Sequence, residues 1–157
     1  MMFRLGFRAE TVADDTFVRA LYASTRNAEM SLINWDATTQ TAFIQQQFDL
    51  QRLHYHQHYP LADFRLILLN EQPIGRWYLN SSVETFHLID ITLLPEQRKQ
   101  GFGSYLLNQL QREASQQGKS ITLQVESHNP ALQWYRRLGF TVQNEQGIYL
   151  RMQWLSN

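Results

Sequence analysis

The sequence predicts one mixed α/β domain, and three observations carry that prediction. Strand-like and helix-like segments alternate along the 157 residues with no repeat, low-complexity linker or shift in composition between them. An apolar run at residues 86–94 is followed, across a glycine-bearing turn, by the clearest amphipathic helix in the chain. A hydrophobic fraction of 43% and an aromatic fraction of 13% supply enough apolar surface for a core at this length.

Residues 3–9 alternate loosely and read as a first strand. Asp14 and Asp15 place acidic groups at the positive end of a starting helix, and Phe17, Val18, Leu21 and Tyr22 recur behind them at helical spacing. Residues 27–35 read as a loop or broken helix. From Asp36 to about residue 59 breakers are few, so a long second helix is expected, ended by Pro60. Strand-like residues 64–69 lead through a turn at Asn70-Glu71-Gln72-Pro73 to a hairpin partner at 74–79. After a break at Asn80-Ser81-Ser82, the density of Ile and Leu over 86–94 predicts a strand buried on both faces. In the helix at 101–117, Leu106, Leu110 and Ala114 form a stripe beside Leu107, and Gly118 stands at the expected stop. Ile121, Leu123 and Val125 alternate as a strand. Asn129-Pro130 offers a cap and a first helical residue for a short helix ending at Leu138-Gly139. Two strands, 141–143 and 148–154, split by 144–147, complete the order.

The formal net charge is +0, without a block of like charges, which leaves no broad basic surface for nucleic acid or an anionic membrane. A nucleic-acid module built on Arg98, Lys99 and exposed aromatics is disfavoured by the same balance. With no cysteine, disulfides, thiolate catalysis and cysteine-ligated metal are excluded. His54, His56 and His58 occupy alternate positions, which point to different faces of a helix, so no metal site is expected. The opening Met1-Met2-Phe3-Arg4-Leu5-Gly6 is too short and too polar afterwards for a signal peptide. No apolar run reaches about 18 residues, so a membrane span is not expected and a cytoplasmic protein is.

The informative junction is Pro95, then Arg98-Lys99-Gln100-Gly101-Phe102-Gly103, then the amphipathic helix. A helix start offers unpaired backbone N–H groups and the positive end of the helix dipole. Glycine lets a backbone approach a ligand closely, and the basic neighbours add charge, so the combination suits a phosphate or pyrophosphate. Taken alone, a G-x-G is better explained by a tight strand-to-helix turn. A P-loop needs G-x-x-x-x-G-K-[ST], which is absent. A dinucleotide fold needs a third small residue where Leu106 stands, near a first strand rather than two thirds of the way along.

At this junction the sequence resembles the GNAT superfamily of N-acetyltransferases. Arg98-x-x-Gly101-x-Gly103 matches that family's [QR]-x-x-G-x-[GA] motif, with Pro95 in the frequent lead-in. The segment from Asn129 to Phe140, with Tyr135 and Gly139-Phe140, is similar to the family's N-x-x-A/S-x-x-x-Y-x-x-x-G-F stretch, allowing for where the small residue falls. The order of elements agrees over nearly the whole chain. The resemblance implies a GNAT-like fold, with one mixed, mostly antiparallel sheet of about six or seven strands flanked by about four helices. It also implies acetyl-CoA as the acetyl donor. Backbone amides of Arg98, Lys99, Gln100, Gly101, Phe102, Gly103 and Ser104 would wrap the coenzyme A pyrophosphate. Leu93 and Leu94 would offer backbone groups to the pantetheine arm and thioester carbonyl, Asn129 would hydrogen-bond the pantetheine, and Tyr135 would lie near the sulfur. Leu93 and Leu94 are also core-like, and Asn129 would cap its helix in any case.

The implied reaction is attack of a neutral amine on a thioester. A lysine-like amine with pKa ~10.4 must lose a proton, and a backbone N–H can stabilise the oxyanion. A thiolate of pKa about 8.5 can take a proton from a phenol of pKa about 10, the role expected of Tyr135. The position where the family carries a glutamate, when it has one, is His87 here. Glu126 and Asp90 are the other candidate bases, and family members often lack an obvious one. Tyr22, Arg26 and Trp35, with Tyr55, His56, His58 and Tyr59, form an aromatic and histidine set that reads either as a pocket for a cationic amine or as helix packing. Self-association through the C-terminal strands is a further expectation. An alternative holds the same fold as an acyl-CoA sensor or structural ligand-binder without turnover.

Overall fold

The computed structural model describes residues 3–156; Met1 and Met2, on which the reading of the chain's opening rests in part, and Asn157 lie outside the described residues. Seven strands and four α-helices appear among the described residues in the expected order. They are β1 (Leu5–Ala9), α1 (Asp15–Met30), α2 (Ala37–His58), β2 (Asp63–Leu69), β3 (Gln72–Ser81), β4 (Thr85–Leu93), α3 (Phe102–Gln117), β5 (Ser120–Glu126), α4 (Ala131–Arg137), β6 (Thr141–Gln146) and β7 (Tyr149–Trp154). The strands form a seven-stranded sheet in the order β1-β2-β3-β4-β5-β7-β6. Ladders β1–β2, β5–β7 and β6–β7 are antiparallel, and β4–β5 is parallel.

The chain clusters into two compact units. The first comprises the residues up to Trp77 together with Thr92–Arg98. Its core joins Val18 and Tyr22 of α1, Phe48 of α2 and Leu66 of β2. The long helix α2 contributes Phe48 to the buried set, with Ile44 packed beside it, and ion pairs on the surface add to its contact with α1. Arg19 pairs with Asp15 and Asp49, and Arg52 pairs with Asp15. The two guanidinium carbons lie 4.8 and 4.6 Å from the Phe48 ring centroid, so the one buried aromatic of α2 carries a cation–π contact from each. Asp36 caps α2 by accepting the Thr39 N–H at 2.7 Å. Helix α1 runs on to Met30, past the break read at residue 27, because buried Met30 anchors its last turn.

The β2–β3 turn is tighter than the sequence implies. Asn70 and Glu71 both sit at positive φ, 49° and 72°, as a two-residue hairpin turn requires, so Gln72 and Pro73 belong to β3. Gly75 has a different reason for being glycine: a Cβ there would run into the Thr92 carbonyl oxygen. Beside it, the Leu94 N–H donates to the Ile74 oxygen at 2.8 Å.

The second unit comprises Tyr78–Ile91 and the residues from Lys99 onward. Leu106, Leu107, Leu110 and Ala114 bury one side of α3, and Gly118 ends it at φ 68°. Strand β4 corrects the expectation of burial on both faces, since only Phe86 and Leu88 are buried. The physical reason is that its other face is only partly covered, inside the ladder with β5 at Thr85 and His87 as well as beyond it. Strand β6 also continues through residues read as a break, with a register irregularity between Val142 and Asn144 and a turn at Gly147, φ 62°.

Asp14 is buried, 8% exposed, and its carboxylate accepts two 2.8 Å bonds from Arg8 and one 2.8 Å bond from the Thr11 N–H. The Arg8 guanidinium is the main reason its pKa falls from 3.8 to about 2. A depressed carboxylate stabilises the fold above its unfolded pKa, and that contribution is lost as pH falls from 3.8 through about 2. Asp14→Asn is therefore expected to cost about 1–3 kcal/mol at pH 7 in urea unfolding, the gap closing near pH 2. Equal stability of the two proteins at pH 7 would show that the Arg8 pair adds nothing.

Candidate functional site

The turn between β4 and α3 has the backbone geometry that the sequence anticipated. A single 3-10 turn at Pro95–Gln97 precedes it, Lys99 and Gly101 both take left-handed φ values of 60° and 86°, and Lys99, Gln100 and Gly101 are exposed. The α3 ladder begins where the Tyr105 N–H donates to the Gly101 oxygen at 3.0 Å. Residues 102–104 therefore form the helix's first turn, where amides have no i−4 carbonyl within the helix. A Cβ at Gly101 would meet nothing within 4 Å, so glycine is required there by φ alone. Gly103 differs: a Cβ would come within 3.1 Å of Cζ2 and 3.2 Å of Cη2 of Trp134. The second glycine of the motif thus lies close against α4, and a Cβ there would require the Trp134 ring to give by a few tenths of an ångström.

Leu93, Leu94 and Arg98 belong to the first unit. Arg98 turns its Nε back onto the Leu93 carbonyl at 3.0 Å. The Leu94 N–H is committed to Ile74, and the Leu94 carbonyl accepts the Gln97 N–H at 2.9 Å. What these two leucines keep for a ligand includes the second lone pair of each carbonyl.

The second unit holds the expected chemical groups around the point where β4 and β5 cease to pair. At the third rung, His87 Nδ1 lies 2.8 Å from Thr122 Oγ1. Beyond the last rung stand Asp90 on β4 and Glu126 on β5. Glu126 is ion-paired with His128 at 3.0 Å when that histidine is protonated. Pro130, expected as the first helical residue, is instead the N-cap of α4, and Asn129 Oδ1 accepts the Ala131 N–H at 2.9 Å, so its amide NH₂ is a group it retains for a ligand. Tyr135 on α4 is 8% exposed, its ring edge-on to Phe140 at 5.8 Å. Burial, and secondarily the Asp90 carboxylate, push its phenol well above the ordinary value, so it stays protonated.

The substrate residues named from sequence do not form one cluster. Tyr22 is 5% exposed in the core of the first unit, edge-on to Phe48, with its hydroxyl accepting from Arg26 Nε at 3.1 Å. Arg26 also pairs with Glu29. Trp35 is 43% exposed and packs edge-on to Phe43 near the start of α2. Tyr55 and Tyr59 lie at the opposite end of that helix, and some 18 residues at ~1.5 Å each separate the two ends by roughly 27 Å. A single small-amine pocket cannot take both. His54 and His58, four residues apart, meet with tilted rings at 4.0 Å, and His56 stacks on Phe64 at 4.2 Å. Among the described residues no group of three His, Asp or Glu side chains converges to hold a metal ion.

A profile of the acetyltransferase (GNAT) family matches residues 8–140. The chain belongs to the GNAT acetyltransferase family. Similar solved structures share its fold at low identity. The PaiA N-acetyltransferase of Thermoplasma acidophilum, in complex with coenzyme A, is 17% identical with a TM-score of 0.71, covering 97% of this chain and 99% of its own. The ribosomal-protein-S18-alanine N-acetyltransferase of Escherichia coli is 16% identical with a TM-score of 0.63, covering 98% and 96%. An Arabidopsis thaliana protein in complex with the bisubstrate analogue CoA-Ac-MVNAL is 15% identical with a TM-score of 0.60, covering 95% and 97%. No curated protein matches the sequence.

Three residues of this GNAT protein escaped the sequence reading because their roles depend on pairing across the fold. Thr122 holds His87, Trp134 meets Gly103 and Ser104, and Arg151 lies near enough to His87 to repel its positive form. The in-register pairing of β5 with β7 brings Arg151 opposite Gln124. Among the described residues, no helix is long and apolar enough to cross a membrane.

Burial, then Arg151, lower the His87 pKa from 6.5 to about 4. The unfolded chain then binds more protons between those values, so the fold loses stability as pH falls from 6.5 to about 4. The loss attributable to His87 is at most about 3 kcal/mol. His87→Gln is expected to flatten that part of the stability–pH curve, read by urea unfolding at pH 7, 5.5 and 4. An unchanged slope would show that His87 is not the group being charged.

Proposed function

We propose that this GNAT protein, as one domain, moves the acetyl group of acetyl-CoA to a primary amine on a small molecule or peptide by direct attack. The observation that carries the reading is the left-handed, exposed turn at Lys99–Gly101, which ends in the first-turn amides of α3. That arrangement suits a pyrophosphate: the φ values curve the backbone, the helix start favours an anion, and Lys99 adds charge. Acetyl-CoA supplies the activated acetyl group. Amides of Gly101–Ser104 bind its diphosphate, the Asn129 NH₂ donates to the pantetheine arm, and the carbonyls of Leu93 and Leu94 accept from it.

Tyr135 is the proposed proton donor to the departing thiolate. Its raised pKa keeps the phenolic proton in place near neutral pH, and makes transfer to a thiolate of pKa about 8.5 uphill. His87 is neutral near pH 7 and, with a pKa of about 4, is a weak acceptor for an ammonium proton. Glu126, at the end of β5 with His128 beside it, is the other proposed acceptor of the amine proton. Asp90 and Glu126 also give a cationic amine a favourable field.

The uphill transfer from Tyr135 is the one feature that favours the acyl-CoA sensor reading instead. Thiol release across polyamines, aminoglycosides, amino acids and peptides separates the two. Turnover is expected with at least one amine, and Tyr135→Phe is expected to lower kcat about 10²–10⁴-fold while the Kd for coenzyme A stays within about twofold. Stabilisation by acetyl-CoA with no thiol release would support the sensor. Undiminished kcat in Tyr135→Phe would remove the phenol from the mechanism.

A further inference from the structure

Trp134 lies next to Tyr135 in sequence, but its indole belongs to the other end of the site. Its six-membered ring edge crowds position 103, with Cζ2 at 3.1 Å from where a Cβ would stand. Its Nε1–H donates to Ser104 Oγ at 2.8 Å. The rings of Trp134 and Tyr135 are 4.9 Å apart between centroids. One side chain thus touches the second glycine of the turn, the hydroxyl of the first turn of α3, and the tyrosine of α4, all within the second unit.

A serine in the first turns of a helix has two ways to spend its hydroxyl proton: back onto its own backbone, or outward. An indole N–H can only donate, so the Ser104 oxygen acts as acceptor toward Trp134. That fixes one lone pair and restricts where the O–H can rotate. The hydroxyl sits among the amides proposed to bind the diphosphate, where a donor is useful and an acceptor is not.

We propose that Trp134 is a positioning residue for coenzyme binding: its indole holds the Ser104 hydroxyl in the rotamer that donates to a phosphate oxygen. The inference rests on the proposed acetyl-CoA reading and deepens it. No proton is transferred and no bond is made; Trp134 restricts the geometry of a donor that touches the ligand, and does not touch the ligand itself.

The test is a double-mutant cycle on coenzyme A affinity by calorimetry, with Trp134→Phe, Ser104→Ala and the pair. Trp134→Phe keeps an aromatic ring beside Gly103 and removes the N–H. If the indole acts through the hydroxyl, each single change weakens coenzyme A about five- to tenfold and the double change costs no more than Ser104→Ala alone. Multiplicative losses would show that Trp134 acts only by packing, and an unchanged Kd in Trp134→Phe would show that it does nothing for binding; either overturns the proposal. Thermal melts report whether each variant folds. Should Trp134→Phe not fold, Ser104→Ala with the Trp134 indole proton followed by NMR decides. Coenzyme A is then expected to shift that resonance in the wild type and not in Ser104→Ala; equal shifts in both overturn the proposal. If wild-type protein binds no coenzyme A, the proposed function itself fails and this inference falls with it.

Discussion

Parallel pairing between β4 and β5 stops after Leu88 and Leu123, although β4 continues to Leu93 and β5 to Glu126. Backbone groups beyond that point are released from the ladder that would otherwise consume them. The last rungs are pinned by side chains, with Thr85 against Ser120 at 3.1 Å and His87 against Thr122 at 2.8 Å. Asp90, Glu126 and the buried Tyr135 then sit past the fork instead of inside a closed sheet. The Ile- and Leu-rich β4 is also only half-buried over its second half. Asp90 and Glu126 lie where β4 and β5 no longer pair with each other, although β5 stays paired with β7 as far as Glu126.

Burial sorts the titratable groups there by what each can do. A phenol pushed upward remains a donor, and a histidine pushed downward remains neutral. His87 is held by a threonine and repelled by Arg151, which makes it a structural rung more than a base. In the first unit the opposite strategy holds. Asp14 is kept charged by Arg8, and Asp15 by Arg52 and Arg19; of these pairs, Arg52–Asp15 joins α2 to α1.

Much of this was legible in the sequence. The stripe Leu106, Leu107, Leu110 and Ala114 with Gly118 defined α3 closely, since periodicity and a glycine stop are local signals. The Gly101 turn was equally legible, because a left-handed residue before an amphipathic helix leaves a glycine behind. The two glycines of that motif nevertheless sit in different settings, a left-handed φ at Gly101 and the nearby Trp134 ring at Gly103, and spacing alone cannot tell them apart. The grouping of Trp35 with Tyr55 and Tyr59 failed for a simple reason: composition does not carry distance, and a 22-residue helix lies between them. Thr122 and Arg151 were invisible because their partner is reached only through strand register.

The account depends on backbone donors at the start of α3 holding a diphosphate. Amide ¹⁵N–¹H spectra recorded during a coenzyme A titration test this directly. The account predicts that the resonances of Gly101, Gly103 and Ser104 move most, in proportion to saturation, and become slower to exchange with solvent. If coenzyme A binds while those amides stay unmoved, the ligand is held elsewhere and the account is wrong.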